Sequence, residues 1–457
     1  MAAGKRHAMI WQADCTTLLE MFAAGRTTPS ALVEVLLARI ATLDPVLNAY
    51  SALSDTLRAG AEAATKRWAI ATPLGPLDGL PLIFKDNLVS AGLPAAWGNA
   101  TLARRIAPHD ERPVAALRDR GALVIGKGNT PEFAVEGYTD NLTFGVTRNP
   151  FDPALTPGGS SGGVVAAIAA GLAPAGLGTD GGGSIRRPSG YTGLVGLKPS
   201  IGHVPRGGGL AQVLLDFEVV GPIARSVRDL RLLDWALSGP ASAASLVQPA
   251  RILAIATLDD APCDPEIRAA FAQTVRALRA EGHEVEEGPL PYDLSALNVG
   301  WTRIAEIGLA RYFRDDPEVG KAAAPKYRDM AARGAEASAT DLAAILQAIY
   351  ALREAAAELW GYDAILMPSS AAHPWPASDS HPPEIDGQHV GPRGHAVYTG
   401  WVNAAGLPAV AFPAAREQGL PIGMQLIGPA GAERRLLDLA EPVVAPFRWP
   451  ELALTSG

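Results

Sequence analysis

The sequence predicts an α/β fold: a single large domain with a mixed, mostly parallel central β-sheet covered by helices on both faces. Three observations predict it. Helix and strand signals alternate along the chain, and its 457 residues contain no long linker, low-complexity tract or fixed-period repeat. The composition, 48% hydrophobic and 19% charged, argues against disorder and suits a chain with a large buried core.

Helical signals begin near the N-terminus. Thr28 can cap a helix with Pro29 at its first position, and Leu32, Leu36 and Ile40 recur on one face. Further helices are predicted at residues 113–120, from residue 226 onward, at 264–282 and in the alanine-rich, polar stretch 319–345.

Short apolar runs between these helices predict strands. The first, Pro81 to Phe84, stops abruptly at Lys85-Asp86-Asn87. The others lie at residues 122–126, 252–256, 362–368, 409–412 and 419–427. Residues 371–396 are rich in proline and histidine and predict a long loop, of the kind that often carries function.

Charge and cysteine content exclude several classes of protein. The 39 Lys and Arg against 47 Asp and Glu leave a net charge of −8, which disfavours binding to nucleic acid or to an anionic membrane. Cys15 and Cys263 are too few for a disulfide framework or a multi-cysteine metal site. The N-terminal apolar piece is too short for a signal peptide, and no apolar run is long enough to span a membrane. These features predict a cytoplasmic protein.

Two glycine-rich stretches stand out, at residues 156–163 and 178–188. Glycine clusters usually mark close approach of main-chain N–H groups to something bound. Gly176-x-Gly178-x-x-Gly181 formally matches a dinucleotide fingerprint, which requires a following helix and an acidic residue about 20 positions later. Pro188 opposes the helix, and Leu197-Lys-Pro199 holds no acidic residue, so this interpretation is weak.

Gly158-Gly-Ser160-Ser-Gly162 formally matches the nucleophile elbow of α/β-hydrolases, with Ser160 as the nucleophile. Two prolines in residues 151–157 lie where the elbow needs a central strand, so it remains a minor alternative. A zinc site is weaker still, because His283-Glu-Val-Glu-Glu lacks the second histidine of a helical zinc motif.

A wider set of motifs resembles the amidase signature family over nearly the whole chain. The matching segments are Phe84-Lys-Asp-Asn87, Asn129-Thr-Pro-Glu-Phe-Ala134, Phe144-Gly-x-x-x-Asn-Pro150, the glycine-serine core at 158–163, residues 178–188, Gly196-Leu-Lys-Pro199 and 419–427. The resemblance implies one domain over 1–457, with N-terminal helices at about 12–70 and a signature core at about 80–225. A C-terminal part at about 226–457 would complete the sheet and the substrate pocket.

On this resemblance Ser184 attacks the substrate carbonyl, Ser160 relays the proton and Lys85 is the final base. A lysine accepts a proton only when neutral, so burial and polar neighbours must lower its pKa from about 10.4. The apolar run before Lys85 suits that requirement. We expect the Asp86 carboxylate to point away, since proximity would oppose the shift.

The family also implies roles for the loops around the serines. It implies a cis peptide bond between Gly159 and Ser160, and main-chain N–H donors at Gly181, Gly182 and Gly183 that form an oxyanion hole. The family commonly carries a larger residue at position 181, so this chain departs there. Residues expected to orient the network by hydrogen bonds are Ser161, Thr179, Asp180 and Arg186, the last as a structural pairing partner.

Further residues fall in segments that often line the family's substrate cavity. Arg187, three positions after Ser184, would bind a carboxylate or carbonyl of the substrate. The aromatic residues in such segments are Trp97, Tyr138, Trp301, Tyr398 and Trp401. They would suit an apolar or aryl acyl or leaving group.

These residues predict a hydrolase that cleaves a carboxamide or related C–N acyl bond through an acyl-enzyme, on a small or aryl amide. No metal or organic cofactor, nucleic acid or membrane is implied, and the chain is expected to be a monomer or homodimer. A carbamate or urea-type hydrolase, a glutaminase subunit of a tRNA-dependent amidotransferase and an esterase remain alternatives. A non-catalytic relative is disfavoured because Lys85, Ser160 and Ser184 are all present.

Overall fold

An eleven-stranded sheet organises the computed structural model, which describes residues 10–239, 249–414 and 419–454. The strands of this sheet are β1 (Tyr50–Leu53), β2 (Pro81–Lys85), β3 (Leu123–Gly128), β4 (Ala175–Asp180), β5 (Val195–Lys198), β6 (Val219–Ala224), β7 (Arg251–Ala254), β8 (Glu284–Glu287), β9 (Ala364–Pro368), β12 (Ala409–Pro413) and β13 (Gly423–Ile427). Two short strands, β10 (Glu384–Ile385) and β11 (Gln388–His389), form a separate hairpin.

Helices connect the strands. They are α1 (Cys15–Ala23), α2 (Pro29–Leu47), α3 (Leu57–Ala69), α4 (Arg112–Arg118), α5 (Gly162–Ala169), α6 (Arg186–Tyr191), α7 (Val227–Ser238), α8 (Pro265–Ala280), α9 (Ser295–Asp315), α10 (Pro317–Ala322), α11 (Pro325–Ala335), α12 (Ala339–Ala355), α13 (Gly400–Ala404) and α14 (Glu433–Val444). Single 3-10 turns occur at Ile10–Gln12, Leu102–Arg104, Glu132–Ala134, Leu359–Gly361 and Gly394–Ala396.

The strands lie in the order β1-β3-β2-β4-β6-β5-β12-β13-β9-β7-β8, which confirms the α/β class and the mixed sheet. The predicted parallel pairs form two blocks, β3-β2-β4 and β9-β7-β8. Antiparallel pairs outnumber them, six to four, across the described residues. A parallel pair needs a crossover, as α8 provides between β7 and β8, whereas β5 and β6 are joined without a helix.

Local signals placed several elements correctly. The Thr28 side chain accepts a hydrogen bond from the Ala31 N–H, with Pro29 as the first residue of α2. The Ser226 side chain likewise caps α7 through the Asp229 N–H. The long loop predicted at 371–396 is present, interrupted only by the β10–β11 hairpin and one 3-10 turn.

Pro188 does not prevent a helix, contrary to the sequence argument. It is the third residue of α6, where its backbone nitrogen would lack a partner within the helix in any case. The turns around it are still hydrogen-bonded, since the Arg187 N–H donates to the Gly183 carbonyl at 2.9 Å.

The hydrophobic core surrounds the middle of the sheet. Every residue of β2, β4, β6, β9, β12, β13 and α5 is buried. Cys15 and Cys263 are buried and not joined by a disulfide. Among the described residues, no helix is long and apolar enough to cross a membrane. Residues 1–9, on which part of the signal-peptide prediction depends, lie outside those described.

Candidate active site

Lys85 is the last residue of β2 and is fully buried. Strands β3 and β4 flank β2 in parallel, so the lysine side chain emerges where the carboxyl ends of three strands meet. Its Nζ lies 2.7 Å from Ser160 Oγ and 2.8 Å from Thr179 Oγ1, and 3.3 Å from the Thr179 carbonyl oxygen. The amine is thus held between the glycine-serine loop and the end of β4.

Burial lowers the pKa of Lys85 from 10.5 to about 7. The carboxylates of Glu218 and Asp180 oppose this decrease, whereas the guanidinium of Arg206 supports it. Asp86 is directed elsewhere, as predicted: its carboxylate accepts hydrogen bonds from Ser51 Oγ at 2.8 Å and from the Gly98 N–H at 3.1 Å. A substantial fraction of Lys85 is therefore neutral near pH 7.

Ser160 follows a cis peptide bond from Gly159, as the resemblance implied. The Ser160 side chain is fully buried, and its carbonyl accepts a hydrogen bond from Thr130 Oγ1 at 2.7 Å. The next residue, Ser161, donates its N–H to the Ser184 carbonyl at 3.2 Å. This bond ties the loop that carries Ser160 to the loop that carries Ser184.

Ser184 lies at the wall of a cavity of about 340 Å³, together with Gly181 and Gly182. Gly183 is not among the lining residues, and its N–H donates to Asp180 Oδ1 at 2.6 Å. The expectation that three successive glycines donate to one oxyanion therefore does not fit the geometry for Gly183. Its amide instead fixes the turn that leads into Ser184.

Asp180 and Arg186 form a fully buried ion pair beneath this loop, with Nη2 and Oδ1 3.0 Å apart. Burial alone would raise the pKa of Asp180, but the Arg186 guanidinium and hydrogen bonds hold it well below its usual range. Arg186 also donates to Gln425 Oε1 at 2.9 Å and to Asn403 Oδ1 at 2.5 Å. The predicted pairing role of Arg186 matches these contacts.

The predicted pocket residues separate into two groups. Arg187 and Trp301 line the cavity beside Ser184. Trp401 lines an adjoining cavity of about 650 Å³. Both cavities are lined by Trp301, Pro392, Arg393 and Ala396. Trp301 is stacked on Phe217, with ring centroids 5.5 Å apart, and forms part of the boundary between the two spaces.

Three predicted aromatic residues are not among those that line either of these cavities. Trp97 packs in an aromatic cluster with Phe133 and Tyr312, at centroid distances of 5.7 and 5.6 Å. Tyr398 is fully buried and donates its hydroxyl to the Ala256 carbonyl at 2.9 Å. Tyr138 packs with Tyr191 and Trp375, and its hydroxyl accepts from Lys326 Nζ at 2.6 Å.

Sequence reasoning missed several side chains at the site. His395 and Arg393 line the cavity from the loop at 371–396, whose length and histidine content were the available signal. Asn87 donates to Thr179 Oγ1 at 3.1 Å, and Thr399 Oγ1 donates to the Gly182 carbonyl at 2.7 Å. No local pattern distinguished these polar residues. Within the described part of the chain, no group of three or more His, Cys, Asp or Glu side chains could hold a metal ion.

A sequence profile of the Amidase family matches residues 31–437 of this chain. The chain belongs to the amidase signature family. A glutamyl-tRNA(Gln) amidotransferase subunit from Symbiobacterium thermophilum is 33% identical to it, and the alignment covers 93% of this chain and 94% of that protein. The protein of the same name from Deinococcus deserti is 35% identical, over 94% and 95%.

Solved amidase signature structures superimpose over almost the whole chain. One described as an amidase has a TM-score of 0.86 at 32% identity and covers 95% of this chain and 100% of its own. A bacterial aryl acylamidase of the family has a TM-score of 0.85 at 27% identity, over 95% and 96%. A 6-aminohexanoate cyclic dimer hydrolase has a TM-score of 0.85 at 26% identity, over 97% and 99%.

Membership in this family agrees with the local geometry against the two rival motifs. Residues 176–180 lie inside strand β4, so Gly176 and Gly178 do not form the strand-to-helix turn of a dinucleotide site. No regular strand precedes Ser160 between the end of β3 and the start of α5, so the nucleophile elbow is absent there. His283, the residue of the weak zinc match, has a protein partner instead: its Nδ1 accepts a hydrogen bond from the Ala250 N–H at 3.3 Å.

Proposed function

We propose that this amidase signature protein hydrolyses a small carboxamide through an acyl-enzyme on Ser184. The observation that carries the proposal is the 2.7 Å contact between Lys85 Nζ and Ser160 Oγ, at a lysine whose pKa is about 7. A buried amine that is partly neutral at physiological pH can accept a proton, which an ordinary lysine cannot. The main-chain hydrogen bond from Ser161 to Ser184 supports the proposal, because it ties the loop that carries Ser184 to the loop that carries Ser160.

In the first step Ser184 Oγ attacks the carbonyl carbon, its proton passes to Ser160, and the Ser160 proton passes to Lys85 Nζ. The N–H groups of Gly181 and Gly182 are the proposed donors to the oxyanion, since both residues face the cavity. Loss of one such donor costs roughly 3 kcal/mol of barrier in other enzymes. This assignment leaves out Gly183, whose N–H is bonded to Asp180.

In the second step the C–N bond breaks, and the amine nitrogen receives the proton returned from Lys85 through Ser160. Water then attacks the Ser184 ester and gives a proton through Ser160 to Lys85. The bond between Ser184 Oγ and the acyl carbon breaks, that proton returns through Ser160 to Ser184 Oγ, and the carboxylic acid leaves. The same steps apply to a carbamate or a urea, in which the carbonyl carbon carries an oxygen or a second nitrogen in place of the carbon of the acyl chain. A cavity of about 340 Å³ favours a small acyl group in all three cases.

The nucleophile is tested by trapping the acyl-enzyme with an activated ester, p-nitrophenyl acetate, and locating the adduct by mass spectrometry. The parent protein should carry it on Ser184, and Ser184→Ala should lose the adduct and at least about 10⁴-fold of its turnover. Ser54→Ala is the matched control, because Ser54 is partly exposed and its hydroxyl is bonded only to Thr56 in the described structure. An adduct on Ser160 would contradict the assignment and favour the esterase alternative.

A glutaminase role is the second candidate, favoured by the two relatives named as glutamyl-tRNA(Gln) amidotransferase subunits. It would require further protein partners. The two candidates differ in what the chain does alone: a small-amide hydrolase should release ammonia from butyramide without any partner and leave glutamine unchanged. Ammonia release from glutamine but not from butyramide would contradict the small-amide hydrolase and support the glutaminase role.

A further inference from the structure

Leu214 lies directly against Gly181, at the wall of the Ser184 cavity. A Cβ added to Gly181 would be 2.5 Å from Leu214 Cδ1, whereas carbon atoms in contact are about 3.5–4.0 Å apart. The next nearest atom, Glu218 Cβ, is 3.6 Å away and would be an ordinary neighbour. Gly183 has a left-handed backbone, with φ at +113°, but Gly181 does not, so its backbone is compatible with a side chain. The Leu214 side chain therefore occupies the space that a side chain at position 181 would need.

The backbone that carries Leu214 is fixed by its neighbours in the fold. Val213 packs against α9 so closely that a Cβ on Gly308 would be 2.0 Å from the Val213 carbonyl oxygen. The Phe217 N–H donates to the Leu214 carbonyl at 3.1 Å, which closes a turn, and the Phe217 carbonyl accepts from Asn403 Nδ2 at 3.2 Å. This short segment cannot move away from the cavity without breaking these contacts, so Leu214 forms a wall of fixed position.

Gly182 has an aromatic neighbour in the same way. A Cβ on Gly182 would be 3.1 Å from Trp301 Cζ2, and the Trp301 ring is stacked on Phe217 of the same segment. The two glycines proposed as oxyanion donors are therefore each bordered by an apolar side chain, Leu214 or Trp301. A substrate oxygen bound by their N–H groups is about 2.7–3.1 Å from the nitrogens, and the first acyl carbon is only two bonds farther along. That carbon therefore enters the site beside these two side chains.

From this arrangement we propose that Leu214 is a specificity-determining residue that excludes acyl groups branched at the carbon next to the carbonyl. The inference rests on the proposed function and narrows its substrate class to amides of unbranched acids. A second substituent on that carbon requires room beside Gly181, which Leu214 fills, and overfilling a packed site is costly. A straight chain needs no such room and continues into the remainder of the cavity of about 340 Å³.

The test compares two isomeric acyl groups on the nucleophile itself. p-Nitrophenyl butyrate and p-nitrophenyl isobutyrate differ only in branching next to the carbonyl, and nitrophenolate release, less that of Ser184→Ala, measures acylation. In the parent protein kcat/KM should be about 10-fold or more higher for the butyrate, because the misfit of one methyl group in an apolar pocket changes rates by about that much. The same order should hold for ammonia release from butyramide and isobutyramide.

Variants then assign the selectivity to this side chain. Leu214→Ala should bring the two esters to within about 2-fold of each other, by speeding acylation with the isobutyrate rather than by slowing it with the butyrate. Leu37→Ala is the matched control: Leu37 of α2 is also half-buried, but it does not line the cavity and should leave the ratio unchanged. If Leu214→Ala does not fold, Leu214→Val removes one methylene and should change the ratio in the same direction.

A double-mutant cycle tests the contact between positions 181 and 214. Gly181→Ala keeps the main-chain N–H but puts a methyl group where Leu214 Cδ1 lies, so it should lower kcat/KM for p-nitrophenyl butyrate about 10-fold. In the Leu214→Ala background the same substitution should cost less than about 2-fold, because the space is then free. Equal losses in both backgrounds would show that the two side chains do not compete for one space, and would overturn the proposal.

Failure of this inference is distinguishable from failure of the proposed function. An acyl adduct on Ser184 with equal acylation by the two esters in the parent, or with an unchanged ratio in Leu214→Ala, would overturn the role of Leu214 and leave the hydrolase intact. Absence of any adduct on Ser184 in the parent would remove the proposed function, and the limit on branching with it.

Discussion

At the scale of single residues, the proposed chemistry depends most on Lys85. Its sequence neighbours predict burial, and burial lowers its pKa to about 7. The hydroxyls of Ser160 and Thr179 surround the amine without adding a charge. The largest electrostatic influence is that of Glu218, which favours the protonated form and keeps the pKa of Lys85 from falling further.

This balance predicts a pH dependence. Since only the neutral amine accepts a proton, kcat/KM should rise with pH, with a midpoint near the Lys85 pKa of about 7. Glu218→Gln removes a negative charge that stabilises the ammonium form, so the midpoint should move to lower pH. Profiles of kcat/KM against pH on a neutral amide measure both effects.

The control for that experiment is Glu34→Gln, an exposed carboxylate paired with Arg58, which should leave the midpoint where it is. A flat profile in the parent would speak against a lysine base. An upward displacement in Glu218→Gln would show that the electrostatic account of Lys85 has the wrong sign.

At the scale of elements, the glycine cluster at 156–163 has a different cause from the one that the sequence suggested. A Cβ on Gly159 would lie 2.3 Å from the Tyr138 carbonyl oxygen, and one on Gly163 would lie 2.1 Å from the Asn129 nitrogen and 2.4 Å from the Ala49 carbonyl oxygen. These glycines let backbone segments touch one another. Only Gly181 and Gly182 face the cavity as the original interpretation required.

Gly163→Ala should therefore destabilise the protein, because backbone atoms on both sides leave no space for a methyl group. We expect a loss of about 1–3 kcal/mol in the free energy of unfolding, the usual cost of overpacking, measured by denaturant titration. Gly288→Ala is the control, since its nearest neighbour is Leu253 Cδ1 at 3.6 Å. Equal midpoints for the two variants would contradict this account of the glycine-serine stretch.

At the scale of the whole molecule, the site depends on contacts between segments far apart in the chain. Arg186 joins the start of α6 to Gln425 in β13 and to Asn403 in α13. Lys85 and Thr179 meet because β2 and β4 are parallel neighbours, and Ser160 reaches the lysine from the loop before α5. Breaking a buried ion pair such as Asp180–Arg186 would leave an uncompensated charge in the core, which is costly. The intact pair is therefore a fixed support for the loop.

Prediction succeeded where the physics is local. Caps and prolines located α2 and α7, and the apolar runs located β2, β9 and β12, because these signals act within a few residues. Strand order and the excess of antiparallel pairs were not predicted, because they depend on which segments pair across long connections.

The aromatic residues illustrate the same limit at the site. Trp301 lines the cavity, whereas Trp97 and Tyr398 are packed within the core. Their sequence contexts do not differ in any way that reports on side-chain direction. His395, which lies at the cavity wall, was one of several histidines in a long loop until the structure placed it beside Arg187.

By itself, the sequence determined the fold class, the membership in the amidase signature family and the residues around which a catalytic site could form, because motifs and caps record chemistry over short stretches of chain. Only the tertiary structure decided the Lys85–Ser160 contact, the hydrogen bond from the Gly183 amide to Asp180 and the unpaired nitrogens of Arg187 and His395. Distances and hydrogen-bond partners across a sheet depend on how remote segments pack, which no local pattern encodes.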